Sequence, residues 1–513
     1  MHGFRARKKE FAPRVVLLMK MRTLALTALS LALGLAAAAP AGAQLAPVPF
    51  PNEDCYGPAG NPEPGSAEWE QRDARNMTCA TLRIRDQIAS PAYGYASTTQ
   101  FPGLHLDALI EQAQDPTNPR GGVTTLVPGS RAADPFRTIA YWTEDTGATV
   151  TRVTFPAQNG STLRGYVFEP PPDVPKPAGG YPGVVITDGS VQGYQNLYFW
   201  AAEDLASNGY VAMTYDVQGQ GDSDLAGDDC PGDCSGVPYQ QDYNFYQGAE
   251  DSLSFFLSDD NPARASVDAD KIGLSGHSLG AGAVSEVGQC DTRVKAIVAW
   301  DNLHAPTACD GETIPPEHLA NADSLLHTPA LGLSNDYGFW VEPTDAPPDP
   351  LAKQGGYAEL AKAGIDTAEV VLRGATHLEY TYIPLVLPAS RLGERFASNY
   401  TVAWFDRYLK GDPAAYKRLT ATEYDGGADA TSIGAGDFSQ DAALADPTNP
   451  EAGNVPYTIA GMPVANTLSF YSKSAYSLTD PATGAKRTCA DMADPASCPP
   501  PAATTKKLKK KLR

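Results

Sequence analysis

Basic residues are scarce in this sequence. Thirty-nine Lys and Arg stand against 60 Asp and Glu in 513 residues, a formal charge of −21. So acidic a chain lacks the basic footprint that meets phosphates, which argues against general nucleic-acid binding. No apolar run after residue 39 is long enough to read as a bilayer span. Neither a P-loop nor a nucleotide fingerprint is present, so no organic cofactor is implied. The cysteines lack paired C-x2-C spacing and have no His pair beside them, which argues against zinc. A collagen-like period is missing, so the 47 Gly and 44 Pro mean many loops. The 42% hydrophobic content is too high for a wholly disordered chain.

What is present begins with an address. Arg5, Arg7, Lys8, Lys9 and Lys20 precede an apolar Leu/Ala run from Leu24 to Ala39. Ala41-Gly42-Ala43 then offers a small-residue cleavage site before Gln44. This is the layout of a secretory signal over residues 1–43, and Met21 is an alternative start. Removing it takes away seven Lys/Arg and one Glu, leaving 32 basic and 59 acidic residues. The expectation is a secreted, extracellular protein. All eight cysteines follow the cleavage site. An oxidising compartment favours pairing of near neighbours: Cys55–Cys79, Cys230–Cys234, Cys290–Cys309 and Cys489–Cys498.

Three regions follow the signal. Residues 44–133 form a loop-rich N-terminal extension with one helix around Ser66–Arg75. Residues 134–412 alternate strands and helices, which predicts an α/β domain with a mostly parallel sheet and helices on both faces. Predicted strands are Val150–Phe155, Leu163–Phe168, Gly183–Thr187, Tyr210–Tyr215, Lys271–Ser275, Val294–Trp300, Ala330–Leu333 and Val370–Leu372. Helices are expected at Tyr198–Ser207, Tyr246–Leu257, from Leu279 and at Tyr400–Lys410. Residues 413–513 are a C-terminal extension with a strand at Thr467–Tyr471 and a basic tail, Lys506 to Arg513. Such a tail is most often a solvated end. A weak tether to an anionic cell envelope is its alternative use.

The chemistry centres on Gly276-His277-Ser278-Leu279-Gly280, a G-x-S-x-G between an apolar strand and a small-residue helix. A serine on such a turn is exposed at the carboxyl edge of the sheet, with a helix N-terminus behind it. Its hydroxyl needs a base. His377 follows the last strand and comes after the serine in chain order, whereas His277 lies inside the turn itself. The order Ser…Asp/Glu…His places the orienting carboxylate between them. Asp336, after the strand Ala330–Leu333, is the first choice, and Asp301, after Val294–Trp300, is its rival. Two backbone N–H groups should meet the oxyanion: that of Leu279, and that of Ser190 in the loop Asp188-Gly189-Ser190. The five aspartates at 222, 224, 228, 229 and 233 have no EF-hand spacing and read as a solvated loop rather than a metal site.

Together these residues resemble the α/β-hydrolase fold, and within it the dienelactone-hydrolase and secreted polyester-hydrolase (cutinase-like) branch. The likeness also includes Tyr215-Asp216 leading to Gly219-Gln220-Gly221-Asp222-Ser223, Ala299-Trp300-Asp301 and Ala403-Trp404-Phe405. It covers residues 140–412, approximately half the chain. Asp188, where many relatives have His, and the cysteine loop Asp228–Cys234 depart from the pattern. The resemblance implies a serine hydrolase of carboxylic esters, with Trp300 and Tyr198 lining the acyl site; core packing is their alternative role. The opening hairpin is also similar to that of prolyl-oligopeptidase-like peptidases, the runner-up, although no propeller-length repeat precedes it.

Overall fold

The computed structural model describes residues 65–71, 137–190, 194–224, 242–301, 303–309, 311–335, 337–338, 354–372, 375–381, 391–421, 474–492 and 494–498, with a few short stretches besides. The signal segment, Cys55, Cys79, Cys230, Cys234, the strand expected at 467–471 and the basic tail lie outside the described residues. All described positions belong to the compact unit Phe50–Arg513. Among them, no helix is long and apolar enough to cross a membrane.

Ten strands form one sheet: β1 (Val150–Pro156), β2 (Thr162–Phe168), β3 (Tyr181–Thr187), β4 (Val211–Asp216), β5 (Val267–His277), β6 (Val294–Trp300), β7 (Ala330–Asn335), β8 (Thr367–Leu372), β9 (Ala475–Thr479) and β10 (Lys486–Cys489). Their order is β1-β2-β4-β3-β5-β6-β7-β8-β9-β10. The six strands from β4 to β8 in this order pair parallel. An antiparallel pair flanks them at each side. The sheet is therefore mixed, which corrects the expectation of a mostly parallel one. The central strands are buried on both faces and are continuous apolar runs, as in Tyr-Pro-Gly-Val-Val-Ile-Thr of β3. Edge strand β1 instead alternates, turning Val153 and Phe155 inward and Arg152 and Thr154 outward.

Helices cover both faces. α2 (Phe199–Ser207) and α6 (Arg391–Tyr408) pack on one side, where Trp200, Trp300, Trp404 and Tyr400 are fully buried. α1 (Ile139–Thr146) and α7 (Ala415–Leu419) join that layer through Ile139, Trp142 and Leu419. α3 (Asp242–Leu257), α4 (Leu279–Cys290) and α5 (Gly355–Lys362) cover the other, around Phe256, Val284, Ile297 and Leu360.

β9 and β10 were not foreseen. They come from the region read as an extension, yet β9 pairs with β8 and buries Tyr476 and Leu478 in the α2/α6 core. Cys489–Cys498 closes the loop after β10, and Cys290–Cys309 ties the end of α4 to the segment after β6. Both are expected pairs.

Candidate active site

The carboxyl ends of β3, β5, β6 and β8 carry the residues singled out above. In open sheets with parallel strands, ligands bind at this edge. β5 ends at His277 and α4 starts at Leu279, so Ser278 is the whole turn. Its backbone sits at φ 58°, ψ −119°. Among the described residues only Ser278 and Asp301 are non-glycine positions with positive φ. Such strain costs on the order of 1–3 kcal/mol, which the surrounding structure must impose. The flanking glycines show what imposes it. A Cβ on Gly280 would lie 2.2 Å from the carbonyl oxygen of Asp188, and one on Gly276 would lie 2.6 Å from that of Gly280. The first turn of α4 is thus pressed against the end of β3. Leu279 opens that helix, where N–H groups have no intrahelical partner.

His377 begins a 3-10 turn just beyond β8. Its N–H donates to the carbonyl of Gly338 at 2.8 Å, while Tyr337 N–H donates to Ala375 at 3.1 Å. These bonds keep the chains leaving β7 and β8 together. The imidazole Nδ1 hydrogen-bonds to Oδ2 of Asp301. Both side chains are largely buried. A proton on Nδ1 shared with a carboxylate leaves Nε2 as the basic nitrogen.

The carboxylate on His377 is therefore that of Asp301, the rival candidate. Asp336, the first choice, lies outside the described residues. The order Ser…Asp/Glu…His admits both aspartates, and among the described residues the bond to His377 comes from Asp301. Asp301 reaches the histidine because β6 lies beside β5 and ends in a left-handed residue at φ 56°. Its N–H is held by Leu333 O at 2.5 Å, and Ser278 N–H donates to Trp300 O at 3.1 Å. Position right after an apolar strand was the one signal in the sequence, and Asp336 shared it.

The loop after β3 lies on the other side of Ser278. Gly189 N–H donates to Tyr198 Oη at 3.0 Å, so that N–H is committed. Gln220 Nε2–H donates to Gly189 O at 2.9 Å. In a trans peptide the next N–H points opposite to that carbonyl, so Gln220 also sets the direction of Ser190 N–H. Asp188 beneath the loop is fully buried, and its carboxyl is pushed well above the usual range by burial and then by neighbouring Asp216. Asp216 is itself pushed up to about 6 by burial and by Asp222.

Trp300 and Tyr198 are both buried. Trp300 is 0% exposed, and its Nε1–H donates to Thr401 Oγ1 at 3.0 Å. Tyr198 is 1% exposed and stacks on Trp300 with centroids 6.1 Å apart. Their residue types are those of a core wall, and their side chains point into it. Core packing is the alternative role that the sequence offered for both. His277, passed over as a base, is fully buried, and burial followed by nearby His377 pulls its pKa down to about 3. Among the aspartates of the loop after β4, Asp224 pairs with Arg164 at 3.1 Å and accepts from Thr162 N–H at 3.0 Å, a structural task. Among the described residues, no group of three or more His, Cys, Asp or Glu could hold a metal ion.

Comparison with known protein families and with curated proteins found no match for this chain.

Proposed function

We propose that this chain is a serine hydrolase of carboxylic esters, built on the α/β-hydrolase fold and exported from the cell. The observation that carries the reading is the strained Ser278 turn at the same sheet edge as the hydrogen-bonded pair His377–Asp301. Ser278 Oγ attacks the ester carbonyl while His377 Nε2 takes its proton. Asp301 holds the ring tautomer and stabilises the imidazolium. The N–H groups of Leu279 and Ser190 receive the oxyanion, aided by the positive end of α4. His377 then protonates the departing alcohol, leaving an acyl-Ser278. Water, deprotonated by the same histidine, releases the acid.

The test pairs initial rates on short-chain p-nitrophenyl esters with rates on aminoacyl p-nitroanilides, using Ser278→Ala as control. Ester turnover and fluorophosphonate labelling that both vanish in Ser278→Ala, by at least about 10⁴-fold in rate, are expected. Ester turnover undiminished in that variant would reject the reading. Anilide turnover equal to or faster than ester turnover would replace the esterase with a peptidase using the same residues.

A further inference from the structure

We propose that His277 and Tyr198 are positioning residues that tie the general base and the oxyanion loop into one rigid unit. The inference rests on the reading of Ser278, His377 and Asp301 given above.

Four groups form a continuous buried chain. His277 Nε2 lies 2.9 Å from the main-chain carbonyl oxygen of His377. A carbonyl only accepts, so Nε2 carries the proton. The ring is neutral, because burial and His377 disfavour its charged form. Its Nδ1 is then an acceptor, and Tyr198 Oη–H donates to it at 2.9 Å. The same phenol oxygen accepts Gly189 N–H at 3.0 Å. Every donor and acceptor therefore has one direction: Gly189 N–H to Tyr198, Tyr198 O–H to His277, His277 N–H to His377. Tyr198 stays protonated, since burial raises its pKa well above the ordinary value.

The ends of this chain are the parts that hydrolysis must hold in register. One end is the residue before Ser190, the expected oxyanion donor. The other is the backbone of the base, whose ring also packs on His277 with centroids 4.5 Å apart. The space has been cleared for it: a Cβ on Gly189 would lie 2.9 Å from His277 Nδ1 and 3.1 Å from Tyr198 Oη. His277 precedes the nucleophile directly, so its imidazole ties that turn to both partners. A buried, fully connected polar network of this kind specifies one geometry, and misplacing reacting groups by about 1 Å can cost on the order of 100-fold.

The test uses two near-isosteric variants in the full chain, Tyr198→Phe and His277→Gln, and their combination. Phenylalanine removes the central hydroxyl. Glutamine keeps a donor for His377 O but loses the geometry of Nδ1. Each is expected to fold, as read by thermal melting, and to lower kcat on a p-nitrophenyl ester about 10- to 100-fold with KM within about twofold. The double variant is expected to fall no more than about twofold below the weaker single one, because both break the same chain. A structural role alone would lower the melting temperature and leave kcat of the folded protein intact. The inference is overturned if either single variant keeps kcat within about twofold of the parent, or if the two losses multiply. Ser278→Ala separates the two levels: an active Ser278→Ala sinks the triad and the chain together, whereas an inactive one beside fully active Tyr198→Phe sinks only the chain.

Discussion

Among the described residues, Ser278 and Asp301 are the two non-glycine positions held at positive φ, and they sit at the ends of neighbouring parallel strands, joined by the bond from Ser278 N–H to the carbonyl of Trp300. The two strained turns rise from β5 and β6 side by side. One presents a hydroxyl and the other a carboxylate, and His377 comes over from beyond β8 to meet the carboxylate. Strain at two adjacent strand ends, both bearing reactive side chains, is the pattern expected where backbone geometry serves chemistry.

Asp301→Asn should therefore be the damaging carboxylate substitution. With Asn the Nδ1 tautomer is no longer enforced, and kcat should drop by about 10⁴-fold while the fold persists. Asp336→Asn should keep kcat within a few fold. Steady-state kinetics on both variants decides the matter, and the opposite ranking would return the role to Asp336.

Trp300 should behave as core. Trp300→Phe removes the bond to Thr401 and part of a tilted ring contact with Trp200, whose centroid lies 5.3 Å away. A loss of roughly 1–3 kcal/mol in unfolding free energy is expected, with an unchanged preference among acyl chain lengths. Denaturant melts and an ester series measure both quantities. A changed chain-length profile at unchanged stability would put the indole back in the acyl site.

Stability should decline with rising pH through the buried carboxyls of Asp188 and Asp216. Asp216 rises from 3.8 to about 6 on folding, and Asp188 is also raised. The folded state then holds more protons than the unfolded one above pH 3.8, so these groups weaken the fold as pH climbs through about 6 and beyond. Asp188→Asn imitates the neutral acid. It should melt higher than the parent near pH 8 and lose less stability between about pH 5 and 8. Parallel melting curves across that window would contradict this.

Truncation after Ala421 should unfold the chain rather than trim a tail. It strips β9 from β8 and removes Tyr476, Leu478 and Met492 from the core. Each such side chain contributes about 1.5–3 kcal/mol when buried. The exposed edge of β8 would also invite aggregation. Size-exclusion profiles and melting of the truncated protein test this; a monomer melting within a few degrees of the parent would show that β9 and β10 are dispensable.

Much of this protein was determined by local sequence. Local patterns marked all eight strands from β1 to β8 and the four larger helices: burial on both faces writes a continuous apolar run in the central strands, and one-sided burial writes alternation in edge strand β1. Gly276 and Gly280 around Ser278 marked the turn, because no side chain fits where α4 meets β3. Tertiary structure decided the rest. That Asp301 meets His377 depends on the end of β6 lying within reach of the turn after β8, and sequence order does not state sheet order. β9 and β10 stayed hidden because short strands of mixed character gain their stability from pairing, β9 with β8 more than a hundred residues away and β10 with β9. Trp300, Tyr198 and His277 illustrate the same limit. Aromatic and imidazole groups suit a core wall, a substrate wall or a hydrogen-bond chain equally well, and only the burial and partners that the folded chain gives them separate those roles.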